Sequence, residues 1–269
     1  MSLSAISQSV VLGIVEGLTE FLPVSSTAHL VLSKQLIAFK AIDDNLFEIF
    51  IQIGAILAIC LTYRGKLGEV VCGLGDKKQQ RFAGNVLLAF LPAVVLGVMF
   101  HKVIKEVLFS NVVIAASLIT GGVVMILVDR RPVVATVEQA NGELADMRPR
   151  TALVIGLIQC LAMVPGVSRS GATIIGGMLL GLQRRTATEF SFFLAIPTIA
   201  GASLYELAKH LDRLNADSLG LLLLGTLSAF LSALLVIRWF IQHVSRHNFV
   251  PFGIYRIILG LLILGVVGT

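Results

Sequence analysis

Charged side chains are scarce in this chain: 14% of the 269 residues, against 56% that are hydrophobic, with a mean hydropathy of +0.91. A water-facing surface of ordinary charge density cannot be built from that composition, which excludes a soluble globular domain and requires lipid to cover much of the molecule. Cysteine is nearly absent. Cys60, Cys72 and Cys160 are odd in number and far apart, which argues against a disulfide framework and a zinc site and leaves them as small packing residues. No Lys or Arg precedes Lys34, so the first apolar run lacks the basic region of a cleaved signal peptide and is expected to stay. The ten-residue alternating segments of an outer-membrane barrel are missing as well, and the apolar residues come in continuous blocks. The net charge of +5 would suggest nucleic acid in a soluble protein. Here it marks basic loops at a membrane, and no nucleic-acid partner is expected.

What is present is a series of apolar stretches at 46–63, 83–101, 111–128, 190–208, 218–238 and 250–268, uncharged in their middles, with Glu48 and Arg256 among the charges near their ends. A helical span needs about 20 mainly apolar residues. The expectation is an all-α integral membrane protein with six transmembrane helices. The chain also resembles itself. Val11 to Leu18 falls on Val154 to Leu161, Val24-Ser25 on Val167-Ser168, Phe47 on Phe190, Leu61 on Leu204, and Gly122 to Val124 on Gly265 to Val267, all at an offset of 143. A constant offset outweighs any single match between apolar segments. The chain is therefore read as a single membrane domain over 1–269, with one repeat at about 1–130, a loop at 131–150 and a second repeat at about 151–269.

Each half begins with a broken segment, 5–39 or 151–182, interrupted by Pro23 or by Pro165-Gly166. Proline removes a backbone donor, and free backbone at membrane depth must be satisfied by protein or water. Two re-entrant helix hairpins are the economical reading. Three spans after each hairpin invert the second half relative to the first, giving an inverted-topology repeat. On that topology thirteen Lys/Arg lie on one side, near 64–81, 129–150, 184–185 and 238–249, and six on the other: Lys34, Lys40, Lys102, Lys105, Lys209 and Arg213. Asp43 and Asp44 also lie on the second side, so the positive-inside rule puts both termini outside and lets the hairpin tips meet near mid-membrane.

The first broken segment carries Glu16, Glu20, Ser25, Ser26, Thr27 and His29. The two carboxylates stand four residues apart, on one helical face. Each ionisable group within the membrane costs at least about 2.5–3.5 kcal/mol on insertion scales, so the cluster demands partners or a water-filled cavity and points to function. The second break reads Pro165-Gly166-Val167-Ser168-Arg169-Ser170-Gly171-Ala172-Thr173. Arginine's planar fork suits phosphate, and a helix restarting after the break points its positive end at a bound anion. Together the segments hold the parts for metal-assisted phosphoryl transfer. Glu16 and Glu20 would hold Mg²⁺ or Ca²⁺, and that divalent cation and Arg169 would neutralise phosphate oxygens. Ser26, activated by His29, is one nucleophile; water activated by Glu20 or His29 is the other.

These motifs resemble those of the BacA/UppP family of undecaprenyl-diphosphate phosphatases, over essentially the full length. Glu16-Gly17-Leu18-Thr19-Glu20-Phe21-Leu22-Pro23-Val24-Ser25-Ser26-Thr27 with His29 corresponds to the family's first motif, and Pro165 to Thr173 to its second. The resemblance implies a multi-pass enzyme of the bacterial inner membrane, with its active site open to the periplasmic side. That enzyme removes one phosphate from undecaprenyl diphosphate, recycling the lipid carrier for peptidoglycan and other wall polymers, and confers bacitracin resistance. It also implies activity at Glu16, Glu20, Ser26, His29 and Arg169, and phosphate contacts at Ser168 and Thr173. Ser25, Thr27 and Ser170, further hydroxyls of the two motifs, are assigned to substrate binding with them. The partners implied are a polyprenyl diphosphate, membrane lipids and, as one assembly, a homodimer.

Other polar residues receive plainer readings. His101, His210, His243 and His247 lie near span ends, where interfacial packing outweighs catalysis. Glu48, Gln52, Glu189 and Ser191 stand at the starts of the spans after each hairpin and are candidates to support the site. Arg256 is expected to pair with a carboxylate or to snorkel to headgroups, and Trp239 and Tyr255 to sit at the interface. The rival function is a polyprenyl-phosphate transporter or flippase, because inverted repeats with broken helices are also transporter architecture. An acid-phosphatase-like enzyme is set aside, since its Lys-x6-Arg-Pro and Pro-Ser-Gly-His signatures are absent.

Overall fold

The computed structural model describes residues 3–39, 42, 44–103, 108–130, 144–210 and 216–267. Most of the loop expected at 131–150 lies outside the described residues, as do Lys40, Asp43, Lys105, Arg213 and the side chains of Asp44, His101, Lys102 and His210. The described residues form eleven α-helices and no strand: α1 Leu3–Thr19, α2 Ser26–Ile37, α3 Asp44–Thr62, α4 Arg64–Cys72, α5 Lys77–Val103, α6 Asn111–Asp129, α7 Pro149–Gln159, α8 Arg169–Leu179, α9 Arg184–His210, α10 Ala216–Val244 and α11 Val250–Val267. The all-α, multi-pass membrane reading holds.

Four of these helices, α5, α6, α9 and α10, are long and apolar enough to cross a bilayer, and they coincide with four of the expected spans. The stretch at 46–63 becomes α3, which turns by 75° into α4 at Tyr63. Arg64 and Lys66 open α4, which buries no residue, so the bend comes where the chain changes from apolar to charged. Counted as one bent span, α3 and α4 bring the candidate crossings to five. The stretch at 250–268 becomes α11, a shorter apolar helix. Side chains at helical spacing on the outer faces stay uncovered, among them Leu87, Leu91 and Val95 of α5 and Leu227, Leu231 and Leu235 of α10, the last 74% exposed. Such stripes belong in hydrocarbon.

Both broken segments fold as helix, break and helix. α1 ends at Thr19 and α2 restarts at Ser26; α7 ends at Gln159, passes through a 3-10 turn at Cys160–Met163, and α8 restarts at Arg169. The two members of each pair pack on each other. Each restart is capped alike. Ser25 (φ 73°) accepts from the Ala28 N–H, and Ser168 (φ 72°) from the Gly171 N–H. A positive φ at a non-glycine residue is strained and persists only where surroundings enforce it.

The helices pair in a regular pattern: α1 on α10 and α7 on α5, α3 on α10 and α9 on α5, α3 on α9, and α6 on α11. Close approach of α1 and α7 to their partners depends on glycine. A Cβ at Gly13 would strike the backbone oxygen of Gly225, and one at Gly156 that of Ala89. Away from the breaks, buried Asp129 joins three helices: one carboxylate oxygen accepts from Arg184 Nε at 2.7 Å and the other from the Phe249 N–H at 2.6 Å. It thereby locks the end of α6 to the starts of α9 and α11. An aromatic cluster of Phe21, Tyr63, Phe82, Phe192, Phe193, Phe240, Phe249 and Phe252, largely edge to face, fills the core between these elements.

Candidate active site

Glu20 lies in the break just after α1, Ser26 opens α2, and Arg169 opens α8. The Ser26 hydroxyl donates to Glu20 Oε2 at 2.6 Å, while Arg169 Nη2 donates to Glu20 Oε1 at 3.3 Å. One carboxylate therefore bridges a hydroxyl from its own half and a guanidinium from the other. Arg169 Nη1 donates to the Ser191 carbonyl at 2.9 Å, and the Thr173 and Ser191 hydroxyls share a 2.6 Å bond. Those contacts fix the guanidinium in place. Its Nε is buried without a partner, so the arginine keeps one donor for a ligand.

The breaks are also stitched together directly. Ser170 Oγ, itself 3.1 Å from Ser168 Oγ, donates to the Leu22 carbonyl at 2.8 Å. Arg256, only 1% exposed, reaches in from α11. Its Nη1 donates to the Pro23 carbonyl at 3.1 Å and its Nη2 to those of Ser117, Gly166 and Val167 at 3.0–3.2 Å. This corrects the sequence-based expectation. Among the described residues Arg256 pairs with no carboxylate, and it does not snorkel, because the breaks leave carbonyl oxygens that helices would have satisfied, and a guanidinium has enough donors to serve several at once. Gly121 makes room, since a Cβ there would collide with Nη2.

The remaining predicted residues divide into two sets. Ser25, Thr27 and Ser168 line a cavity of about 520 Å³ together with Glu20, Ser26 and Arg169. Glu16 is not among its lining residues; it is 0% exposed, and both its carboxylate oxygens lack a partner. His29 is turned away from Ser26. Its Nδ1 donates to the Ser25 carbonyl at 2.7 Å, and a neutral ring then accepts at Nε2 from the Tyr255 hydroxyl at 2.6 Å. Tyr255, expected at the membrane interface, has nothing local in the sequence to link it to His29, 226 positions away.

Of the proposed supporting residues, Ser191 holds Arg169 and Thr173, and Gln52 lines the cavity. Glu48 pairs with Lys34 at 2.5 Å, and Glu189 pairs with Arg185 one turn back in α9. His243 and His247 stack on each other, with Trp239 against His243, at the end of α10. This is the packing role expected of them.

The cavity's other wall is apolar, with Phe90, Val94 and Val98 of α5 and Ile199 of α9, and it runs toward Tyr205 and Glu206 near the end of α9. The site thus joins a dense polar floor to an oily groove. Among the described residues no three of His, Cys, Asp or Glu cluster as a ready-made metal cage. The unpartnered oxygens of Glu16, four residues from Glu20, are of the oxygen-ligand type that a hard cation takes.

A family model described as bacitracin resistance protein BacA matches residues 9–262. The undecaprenyl-diphosphatase of Cupriavidus metallidurans is 49% identical, with 98% of this chain and 96% of that protein covered. That of Cupriavidus necator is 50% identical with the same coverage. Undecaprenyl-diphosphatase 1 of Burkholderia thailandensis is 48% identical over 96% of this chain and 94% of its own. With Glu20, Ser26 and Arg169 at one cavity and the similarity spanning both halves, the chain belongs to the BacA family.

Proposed function

We propose that the protein hydrolyses undecaprenyl diphosphate to undecaprenyl phosphate and inorganic phosphate, so recycling the lipid carrier for wall polymers and conferring bacitracin resistance. The observation that carries the chemistry is the Ser26 hydroxyl donating to Glu20 while Glu20 is held by Arg169, all on the wall of one cavity. The names of the relatives support the substrate. The apolar groove takes the first isoprene units, and the rest of the chain stays in the bilayer.

In this reading Ser26 Oγ attacks the terminal phosphorus and passes its proton to Glu20. The bond from that phosphorus to the bridging oxygen breaks, and undecaprenyl phosphate leaves with the proton that Glu20 had taken, which returns Glu20 to its carboxylate form. Water then attacks the phosphoserine, its proton returns through Glu20 to Ser26 Oγ, and inorganic phosphate is released. Arg169 donates to the phosphate oxygens as charge moves onto them. Ser168, Ser170, Thr173, Ser25 and Thr27 orient the anion and the loops around it. Glu16 and Glu20 are the residues that would hold Mg²⁺ or Ca²⁺, which when bound supplies charge neutralisation at the diphosphate. Glu20 rather than His29 is the base here, since His29 is committed to Ser25 and Tyr255.

The topology proposed is six crossings plus two re-entrant hairpins in an inverted repeat. It is supported by the matching helix pairs, the twin serine caps and the glycines at positions 13 and 156. The cavity extends toward the 205–206 end of α9, the side with fewer Lys/Arg. An active site open to the periplasmic face of the bacterial inner membrane follows from that charge bias.

Purified protein in detergent should release phosphate from a polyprenyl diphosphate when Mg²⁺ or Ca²⁺ is supplied. No release with either cation would reject the hydrolase and leave recognition of a lipid phosphate without cleavage. Trapping a phosphoserine at position 26 would support covalent attack. Substantial turnover by Ser26→Ala would instead assign the attack to water.

A further inference from the structure

Gln159 closes α7 at the point where the second broken segment loses its helix, and it occupies the position that matches Glu16 at the repeat offset of 143. It lines the same cavity as Glu20, Ser26 and Arg169, yet its side chain is only 3% exposed and its Nε2 has no hydrogen-bond partner. Thr198 Oγ1 lies 3.4 Å from its Oε1. That is long for a hydroxyl bond, and the Thr198 proton goes instead to the Leu194 carbonyl at 2.8 Å. The amide is therefore held by packing, with its N–H donors unspent. A buried amide N–H requires an acceptor, and none of the protein groups around it supplies one. A phosphate oxygen bound in this cavity would.

The geometry points to Gln159 as a substrate-binding residue whose Nε2 donates to a phosphate oxygen of the diphosphate, with the unpartnered Arg169 Nε as the second free donor of that anion site. This rests on the diphosphate substrate proposed above and adds a contact to it. It also gives the repeat a division of labour. The position that in the first half presents two unpartnered acceptors, Glu16, presents in the second half an unpartnered donor, so one member of the pair suits a cation and the other an anion.

Two variants and two measurements test this in the full-length protein. A hydrogen bond to a charged phosphate lost in Gln159→Leu should raise KM, and weaken calorimetric binding of a non-hydrolysable methylenediphosphonate analogue of the lipid, by about tenfold or more, with a smaller change in kcat. Gln159→Glu keeps the shape and an acceptor for Thr198 but sets a carboxylate against phosphate. It should bind the analogue at least as poorly as Gln159→Leu. If Gln159 only packs against Thr198, Gln159→Glu will match the wild type, and that result overturns the inference. So does unchanged analogue affinity in both variants. If Gln159→Leu fails to purify as a folded monodisperse protein, the Glu variant alone decides. A wild type that binds the analogue without releasing phosphate from the natural lipid would reject hydrolysis and leave the Gln159 contact standing.

Discussion

Glu20 holds two partners at once, and that double engagement makes its removal more damaging than the loss of an ordinary buried carboxylate. Glu20→Gln keeps the shape but loses the charge that anchors Arg169 and that, in the proposed mechanism, takes the Ser26 proton. Phosphate release should fall by a factor of about 10² or more, with thermal unfolding in detergent little changed. Arg169→Ala should likewise abolish turnover, and His243→Ala should leave it intact, since that ring packs against His247 and Trp239 away from the cavity. Phosphate release by purified variants checks all three. The candidate site residues could be picked out in the sequence because ionisable and hydroxyl side chains at membrane depth need a reason to be there. Their pairing was not. Whether Ser26 meets Glu20 or His29 depends on the direction each side chain takes after the break, and the strained Ser25 backbone sets that direction.

At the scale of helices, the two breaks are held by donors from elsewhere in the fold. Arg256 of α11 serves the carbonyls of Pro23, Gly166 and Val167 together. Arg256→Met would leave several buried acceptors unsatisfied at about 1–3 kcal/mol each. A clear drop in the unfolding midpoint is expected, together with loss of turnover as the breaks separate; scanning calorimetry and phosphate release read the two effects. Arg256→Lys, with a single ammonium in place of a fork, should recover only part of either. Asp129 plays the corresponding role away from the site. Asp129→Asn should destabilise by about 1.5–3 kcal/mol, the range for bonds to a charged group, while KM stays near that of the parent. The helices themselves followed from apolar run lengths and from Pro23 and Pro165. The 75° bend between α3 and α4 did not, because 46–63 reads as an ordinary span until its end meets Arg64 and Lys66.

For the whole molecule, the charge asymmetry and the repeat make one topological prediction. In a variant with Cys60, Cys72 and Cys160 replaced, a cysteine at Gly75 between α4 and α5 should react with a membrane-impermeant thiol reagent only after cells are opened. One at Leu36, near the end of α2 and 85% exposed, should react in intact cells. The reverse pattern would put the cavity on the cytoplasmic face. Solubility class, helical architecture and the identity of the motif residues were determined by the sequence alone. A bilayer imposes a length and a composition on anything that crosses it, and a family motif is local in the chain. Only the tertiary structure decided which groups meet. The bonds that define the site join residues as far apart in sequence as Glu20 and Arg169, His29 and Tyr255, and Pro23 and Arg256. The unspent amide of Gln159 became visible only when its neighbours were in place. Such contacts are fixed by how the helices pack around two interrupted segments, and no property of either segment by itself encodes them.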